Sequence, residues 1–203
     1  IAEKLQTQNN LNVEYENVMV TNGAKQAIYN LFQVLLNDGD EVIIPAPYWL
    51  SYPQMVRLAG GKPVFLNSSA EDGFKINIQD LKSKISPKTK FIIINSPNNP
   101  TGRVMPKEEL LQIAELVREN KNINILSDEI YELILKKEFK HLSLASLATD
   151  LKERIFIING FAKGWAMTGW RVGYLVGQKD VIKASSALQS QSTSNVCSFV
   201  QRG

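Results

Sequence analysis

The feature that most constrains this chain is a regular alternation of short β-rich runs with helical patterns. The strand candidates are Val18–Thr21, Glu41–Ile44, Pro63–Leu66, Phe91–Asn95, Ile123–Leu126, Ile155–Ile158 and Val172–Val176. Apolar residues repeat at helical spacing in Ala24–Leu36, Leu50–Leu58, Ile78–Ile85, Lys107–Asn120 and Val181–Gln189. Alternation of this kind is typical of parallel βαβ units. We therefore predict an α/β fold, a mostly parallel sheet with helices on both faces.

The composition excludes several classes of protein. An apolar content of 44% and a charged content of 21% are ordinary for a soluble globular chain. The net charge of +3 is small and the basic residues are dispersed, so nucleic acid is not an expected partner. No apolar run reaches the length of a membrane span, and we predict no membrane association. The single Cys197 cannot form an internal disulfide, and the single His141 lacks companions for a metal site. We therefore expect a cytosolic protein with no metal and a structural His141.

The domain organisation is simple, because no repeat or low-complexity linker interrupts the pattern. We interpret residues 1–203 as one domain. Ile1–Gln8 is typical of a helix already under way, and Gln201–Gly203 follows a helical stretch without a closing signal. We expect the chain to be part of a longer protein.

Three strand ends carry unusual chemistry. The segments are Ser96–Gly102 after the fourth strand, Ser127–Tyr131 after the fifth, and Asn159–Tyr174 after the sixth. Taken singly, each has an ordinary explanation as a turn, a helix cap or a solvated lysine. Parallel strands, however, bring their carboxyl ends to one edge of the sheet, where ligands bind. Their joint appearance therefore predicts one binding site.

These segments resemble those of the fold-type I enzymes that use pyridoxal 5′-phosphate (PLP). The likeness is to the class I aminotransferases, close to bacterial-type aspartate aminotransferases. It rests on Ser-Pro-Asn-Asn-Pro-Thr-Gly at 96–102, Ser-Asp-Glu-Ile-Tyr at 127–131, and the run from Lys163 to Tyr174. It extends from Val18 to about Ser194.

The resemblance implies catalytic roles for three residues. Lys163 matches the lysine that forms a Schiff base with the PLP aldehyde and later moves a proton. Asp128 matches the carboxylate that pairs with the pyridine nitrogen and keeps it protonated. Tyr131, together with Asn99, resembles the pair that hydrogen-bonds the phenolic oxygen of the ring.

The resemblance also implies how the rest of the cofactor is held. Arg171, eight residues after Lys163, matches the phosphate-binding arginine. Gly23, Ala24 and Lys25 open a helix, whose free N–H groups favour a phosphate. Trp49 matches the aromatic residue that stacks on the ring, although an ordinary packed aromatic is the alternative. The residues expected to face substrate are Trp49, Asn99 and Lys25.

The chain departs from the family pattern in several places. Gly160 and Ala162 stand where many relatives carry serine or threonine, so one phosphate hydroxyl is missing. The family's arginine for the substrate α-carboxylate belongs to a C-terminal small domain, which would lie beyond Gly203. An N-terminal segment that covers the site, and supplies a tyrosine to the partner subunit, would lie before Ile1. This chain is therefore expected to be the PLP-binding large domain alone, and by itself inactive.

The resemblance implies an aminotransferase that moves an amino group between an amino acid and a 2-oxo acid. Lys25 favours aspartate or another dicarboxylic or aromatic-precursor substrate, with a charge near the phosphate as an equal alternative. A PLP-dependent lyase or synthase on the same core is a second possibility. A non-enzymatic effector domain of a transcription regulator is a third, and it would need a basic winged helix upstream. A Rossmann dinucleotide domain is not supported, because no Gly-x-Gly-x-x-Gly follows the first strand.

The resemblance implies two further features. Cis peptide bonds are expected at Ala46-Pro47 and Asn99-Pro100. The full-length protein is expected to be a homodimer with the cofactor near the subunit boundary. The polar segment Gln189–Asn195 has few apolar groups, which fits such a boundary better than a buried core. A solvent-exposed linker is the alternative for this segment.

Overall fold

A computed structural model of the chain describes residues 1–202. The strands are β1 (Val18–Thr21), β2 (Glu41–Pro45), β3 (Lys62–Leu66), β4 (Thr89–Asn95), β5 (Asn124–Asp128), β6 (Ile155–Gly160) and β7 (Gly173–Val176). The α-helices are α1 (Ala2–Gln8), α2 (Ala24–Leu35), α3 (Ser51–Leu58), α4 (Ile78–Lys84), α5 (Lys107–Glu119), α6 (Leu144–Leu147) and α7 (Lys179–Ser190). Short 3-10 turns lie at Tyr15–Asn17, Thr149–Arg154, Thr168–Trp170 and Val200–Arg202.

All seven strands form one sheet in the order β1-β7-β6-β5-β4-β2-β3. The pairings β2–β3, β2–β4, β4–β5 and β5–β6 are parallel, whereas β7 is antiparallel to both of its neighbours. The predicted mostly parallel α/β fold is therefore confirmed. The reversal of β7 matters for function, because the residues that precede this strand lie at the carboxyl edge of the others.

Helices cover both faces of the sheet, as predicted. Alternate residues of each strand point to opposite faces, so β4 sends Ile92 to one apolar core and Phe91 to the other. The first core includes side chains of α4, α5 and α6, and the second includes those of α2, α3 and α7. Each fully buried side chain of this kind stabilises the fold by about 1.5–3 kcal/mol. The rigid sheet holds the loops at its edges in fixed positions.

The predicted elements agree with the structure to within about two residues at their ends, which is the usual uncertainty of helix and strand boundaries. The short helix α6 was not predicted, because four residues are too few to show a helical repeat. Both expected cis peptide bonds are confirmed, and Ser96-Pro97 is cis as well. Within residues 1–202, no helix combines the length and the apolar character that a membrane span requires.

The interpretation of Gln189–Asn195 as unsuited to a buried core is wrong for its first residue. Gln189 is buried, because both ends of its amide are paired inside the chain. Its oxygen accepts a bond from Asn30 at 3.0 Å, and its nitrogen donates to the carbonyl oxygens of Val20 and Ser194. Residues 190–195 are exposed.

His141 lies in a buried ion-pair network near Glu129 and Glu132. Its Nε2 is 3.0 Å from Glu129 Oε2, and the other Glu129 oxygen accepts bonds from Ser127 and Ser143. The Glu132 oxygens are paired with Lys4 and Asn9. Burial opposes the charged imidazole, but the Glu129 and Glu132 carboxylates together outweigh it and raise the pKa of His141. The carboxylates are thus satisfied by protein groups, and the absence of a bound metal stays a prediction.

Candidate functional site

A cleft of about 180 Å³ opens at the carboxyl edge of the parallel strands. It is lined by side chains from the segments that follow β1, β2, β4, β5 and β6 and from the one that precedes β7. Eight of the nine predicted site residues line it: Ala24, Lys25, Trp49, Asn99, Asp128, Tyr131, Lys163 and Arg171. The ninth, Gly23, lies directly behind Arg171. The topology therefore brings the predicted residues together.

Asp128 forms the buried end of the cleft. It is the last residue of β5, paired across the sheet with Asn95 of β4 and Ile158 of β6. Its side chain is removed from water, and this burial raises the pKa of Asp128 to about 6. Two donors oppose that shift: the hydroxyl of Tyr52 at 2.6 Å and the backbone N–H of Ile130 at 3.2 Å. A carboxyl group in a cleft whose pKa lies near neutral pH is suited to pair with a protonated nitrogen.

The opposite end of the cleft is built for an anion. Gly23 precedes α2 with a φ of 84°, a left-handed value that favours glycine. A Cβ at this position would lie 2.3 Å from a guanidinium nitrogen of Arg171. The absence of a side chain thus lets Arg171 lie against the start of α2. The free N–H groups of the first helical turn and the guanidinium together provide donors and positive charge for a phosphate.

Arg171 reaches this end because β7 runs against its neighbours. It immediately precedes Val172 and β7, in a left-handed conformation with φ 53°. Its guanidinium donates to the carbonyl oxygen of Thr168 at 3.0 Å and to that of Asn22 at 3.4 Å. These two bonds link the loop before β7 to the loop before α2. The arginine is therefore oriented before any ligand arrives.

Lys163 lies in the loop after β6, at the exposed mouth of the cleft. Its ammonium is 5.8 Å from the centre of the Tyr131 ring. The Tyr131 hydroxyl accepts a hydrogen bond from the Asn99 amide at 3.3 Å. Burial and the charge of Asp128 raise the pKa of Tyr131, so its phenol keeps its proton at neutral pH. The amine thus shares the cleft with two hydrogen-bonding side chains and the buried carboxylate.

Trp49 and Lys25 lie on the same side of the cleft. The Trp49 ring packs edge-on against Tyr52, with ring centres 5.4 Å apart and planes at 90°. The Lys25 ammonium is 5.0 Å from the centre of the Trp49 ring, a distance at which cation–π attraction operates. Tyr52 and Lys25 therefore hold the Trp49 ring, and one face of the ring lies toward the part of the cleft that contains Lys25.

Three polar residues that line the cleft were not predicted as site residues from the sequence: Tyr52, Asn95 and Thr168. Tyr52 lies inside α3, where its spacing is that of a core aromatic. Asn95 donates to the Asp128 carbonyl at 3.0 Å and accepts from the Asn99 backbone N–H at 2.8 Å, so it supports two predicted residues from beneath. Thr168 lines the cleft, and its backbone carbonyl accepts a bond from Arg171 at 3.0 Å. Of these three, only Asn95 could have been found from the sequence, because it is the last residue of the apolar strand that precedes Asn99.

The structure explains why serine or threonine is absent at Gly160. A Cβ there would lie 2.7 Å from both the Cα of Gly173 and the carbonyl oxygen of Val172. Gly173 in turn would place a Cβ 2.4 Å from the backbone nitrogen of Ala24. The two glycines let β6, β7 and the start of α2 approach closely. The hydroxyl of a larger residue at 160 has no room in this backbone.

Comparisons with known proteins agree with this geometry. The family model for aminotransferase class I and II matches residues 1–203. A probable aspartate/prephenate aminotransferase of Rickettsia bellii is 53% identical over 99% of this chain and 50% of its own length. The Bacillus subtilis aspartate aminotransferase is 50% identical over 100% of this chain and 51% of its own. The chain spans about half the length of the curated relatives it matches.

Solved structures give the same picture. The aspartate aminotransferase of Thermus thermophilus with maleate superposes with a TM-score of 0.94 at 47% identity, covering 98% of this chain and 51% of that one. The aspartate aminotransferase of Rhizobium meliloti gives a TM-score of 0.95 at 39% identity, with 98% and 50% covered.

Proposed function

The chain belongs to the class I and II aminotransferases, and on that basis we propose that the full-length protein is a PLP-dependent aminotransferase. It would transfer an amino group between an amino acid and a 2-oxo acid. The observation that carries this proposal is the cleft itself, which joins an amine, a buried carboxylate and an anion-binding helix start. Residues 1–203 would form the cofactor-binding large domain.

The donor set of the cleft fits PLP at both ends. A phosphate fits the start of α2, where Gly23 leaves a cradle that a Cβ would fill and Arg171 supplies charge. A protonated ring nitrogen fits Asp128, a buried carboxylate that otherwise carries a desolvation cost. Lys163, which lines the same cleft, is the amine that would hold the aldehyde. Asn99 and Tyr131 would bind the phenolic oxygen, and Trp49 would cover the ring.

Each residue then has a definite task. Bound PLP supplies an electron sink for the charge that develops at the substrate Cα. Asp128 holds the ring nitrogen in its protonated form, which strengthens that sink. The amine of Lys163 would take the proton from the substrate Cα and deliver it to the C4′ carbon of the cofactor. Arg171 and the start of α2 fix the phosphate, so that the proton transfer occurs at one geometry.

The proposal is tested by loading the full-length protein with PLP and supplying amino acids one at a time. Amino transfer is expected to convert each accepted amino acid to its 2-oxo acid, leaving the cofactor aminated. Mass spectrometry of the released cofactor and chromatography of the oxo acid measure both products. Elimination or condensation products without amino transfer would instead identify the lyase or synthase alternative.

We also propose that the substrates include a dicarboxylic amino acid such as aspartate. Lys25 brings a positive charge into the cleft beside Trp49, on the side where a substrate carboxylate could reach it. The Thermus thermophilus relative is described with maleate, a dicarboxylate. The names of the relatives, aspartate and aspartate/prephenate aminotransferases, support the same class.

The Lys25→Met variant tests this substrate class, because methionine keeps the length of the side chain and removes its charge. We expect kcat/KM for aspartate to fall about 10-fold to 100-fold, the effect of losing a hydrogen bond between charged groups. The value for an uncharged amino acid should change much less. Steady-state kinetics with aspartate and alanine measure the difference. Lys121→Met, at the opposite edge of the sheet, is the matched control. An equal loss for both substrates, with weaker PLP binding, would assign Lys25 to the phosphate.

The Gly173→Ala variant tests the anion-binding end. Its new Cβ would lie 2.4 Å from the Ala24 nitrogen, and the first turn of α2 must move away. We expect PLP affinity to fall at least about 10-fold and stability to fall by about 1–3 kcal/mol from overpacking. Fluorescence titration with PLP and thermal unfolding measure the two effects. Gly169→Ala is the control, since nothing lies within 4 Å of its Cβ position. Unchanged PLP affinity in Gly173→Ala would remove the start of α2 from the site.

We propose that the full-length protein is a homodimer in the cytosol. Large apolar side chains, Trp165, Trp170 and Phe199, are exposed near the loop that carries Lys163, which supports a covered surface there. The free and exposed Cys197 is compatible with a reducing compartment. Light scattering of the full-length protein measures its mass in solution.

A further inference from the structure

Tyr52 is the buried aromatic residue that contacts the Asp128 carboxylate directly. It is 1% exposed, and its hydroxyl donates to Asp128 Oδ2 at 2.6 Å. The other oxygen, Oδ1, accepts from the Ile130 backbone N–H at 3.2 Å. Each carboxylate oxygen therefore has one donor, and the plane of the group is fixed by both. Among the side chains of residues 1–201, Tyr52 is the one that donates to this carboxylate.

The position of the Tyr52 hydroxyl is set by its own surroundings. Tyr52 lies in the first turn of α3, and its backbone N–H donates to the Trp49 carbonyl at 3.0 Å. Its ring packs edge-on against Trp49 and belongs to the buried apolar core on that face of the sheet. A buried phenol in such a core has little freedom to move. The hydroxyl consequently meets Asp128 in one geometry.

The proton of this pair resides on the tyrosine. Burial and the charge of Asp128 together raise the pKa of Tyr52 well above its usual value. Burial raises the pKa of Asp128 as well, and the Tyr52 hydrogen bond is the strongest influence that opposes it. Charge-assisted hydrogen bonds of this kind favour the ionised carboxylate. Without the hydroxyl, the buried Asp128 would hold its proton to a higher pH.

We propose, on the basis of the PLP-dependent function argued above, that Tyr52 is a positioning residue that keeps the Asp128 carboxylate ionised and aimed into the cleft. It acts through Asp128 and needs no contact with the cofactor or substrate. Its role thus differs from that of Trp49, which faces the cleft from the same helix start.

Other charged groups near Asp128 do not replace this effect. Glu129, the next residue along the chain, adds negative charge and raises the pKa of Asp128 further. Tyr131 lies on the same segment and donates to neither carboxylate oxygen. Lys163 and Arg171 line the cleft from the loops around β6 and β7 and make no hydrogen bond to Asp128. Tyr52 from α3 is therefore the side chain whose removal isolates the effect.

The Tyr52→Phe variant of the full-length protein tests the proposal, because phenylalanine keeps the packing and removes the hydroxyl. When folding raises the pKa of a carboxyl group, the protein loses stability as pH rises from the pKa of the unfolded state to that of the folded state. For cofactor-free wild type this loss should end near pH 6, the pKa of Asp128. For Tyr52→Phe it should continue to higher pH. Urea unfolding across pH 4 to 9 measures the free energy of unfolding of wild type and of Tyr52→Phe. Each is compared with the same protein carrying the additional substitution Asp128→Asn.

The loaded enzyme gives a second readout. With ¹⁵N-labelled PLP, the ring-nitrogen resonance of wild type should report a protonated ring over the neutral range. In Tyr52→Phe the resonance should shift to that of the unprotonated ring at a lower pH than in wild type. The value of kcat/KM should fall about 10-fold to 100-fold. In the Asp128→Asn background, Tyr52→Phe should change nothing further, because coupled residues are not additive. Tyr48→Phe, whose ring stacks on Phe65, is the control.

The possible outcomes are distinct. A Tyr52→Phe variant with the wild-type pH profile and resonance, in a wild type that binds PLP and transaminates, would overturn the role of Tyr52 alone. A wild type that binds no PLP would overturn the proposed function. The unfolding measurement needs no cofactor, so an unshifted pH dependence in Tyr52→Phe would overturn the effect of Tyr52 on Asp128 in either case.

Discussion

Replacing Lys163 with alanine is expected to abolish amino transfer, with kcat falling by at least about 10,000-fold, the upper range for loss of a general base. Lys163 lines the same cleft as the buried Asp128 and the first residues of α2. In the proposed function, its removal would take away both the covalent anchor for the cofactor and the base for the substrate Cα. The remaining donors should still bind PLP, so affinity should fall far less than turnover.

The measurement for Lys163 combines kinetics with chemical labelling. Single-turnover assays of the full-length variant give the loss in rate. Borohydride treatment of loaded wild type, followed by peptide mass spectrometry, should add the mass of the cofactor to the peptide that contains Lys163. Lys25 shares the cleft and is the internal control for selectivity. Label on Lys25 or any other lysine, with none on Lys163, would contradict the assignment.

Much of the fold could be predicted because the apolar pattern is regular. The run Phe91–Ile94 is apolar throughout, as expected for a strand that is covered on both faces. The spatial order of the strands was not predictable, since no local pattern encodes which neighbour a strand pairs with. The reversal of β7 is an example. Because β7 is reversed, the whole connection from β6 to β7, including Arg171, lies at the carboxyl edge of the parallel strands.

The candidate site was predictable where residues lie in loops at strand ends. Asp128 and Lys163 each have an ordinary explanation when taken alone, and they became candidates because their segments follow strands of one sheet and together resemble a known family. Tyr52 could not be found in this way, because a tyrosine inside an amphipathic helix has the signal of ordinary core packing. Its partner Asp128 is 76 residues away in the chain. The roles of Gly160 and Gly173 could not be predicted from the sequence either, since they depend on a close backbone approach that only the folded chain creates.

The Asp128→Asn variant should lower kcat about 100-fold to 1,000-fold, the range seen when one preorganised electrostatic contact is lost. Asparagine keeps the shape of the side chain: its oxygen can still accept from the Ile130 N–H, and its amide can face the Tyr52 hydroxyl. What it removes is the negative charge that, in the proposed function, would hold a proton on the ring nitrogen. PLP affinity should therefore fall less than turnover. Stopped-flow kinetics and PLP titration of the full-length variant measure the two quantities.

The same substitution should have the opposite effect on the stability of the cofactor-free protein. Folding raises the pKa of Asp128 from 3.8 to about 6, so the wild type loses stability as pH rises through that window. At pH 7 the loss amounts to about 3 kcal/mol, and asparagine should recover about 1–3 kcal/mol of it. Urea unfolding of Asp128→Asn and of the exposed control Asp38→Asn at pH 4 and pH 7 measures the gain. A variant that is slower yet more stable would show that the buried charge is kept for chemistry, because it destabilises the fold. Near-normal turnover, or no gain in stability at pH 7, would contradict this account of Asp128.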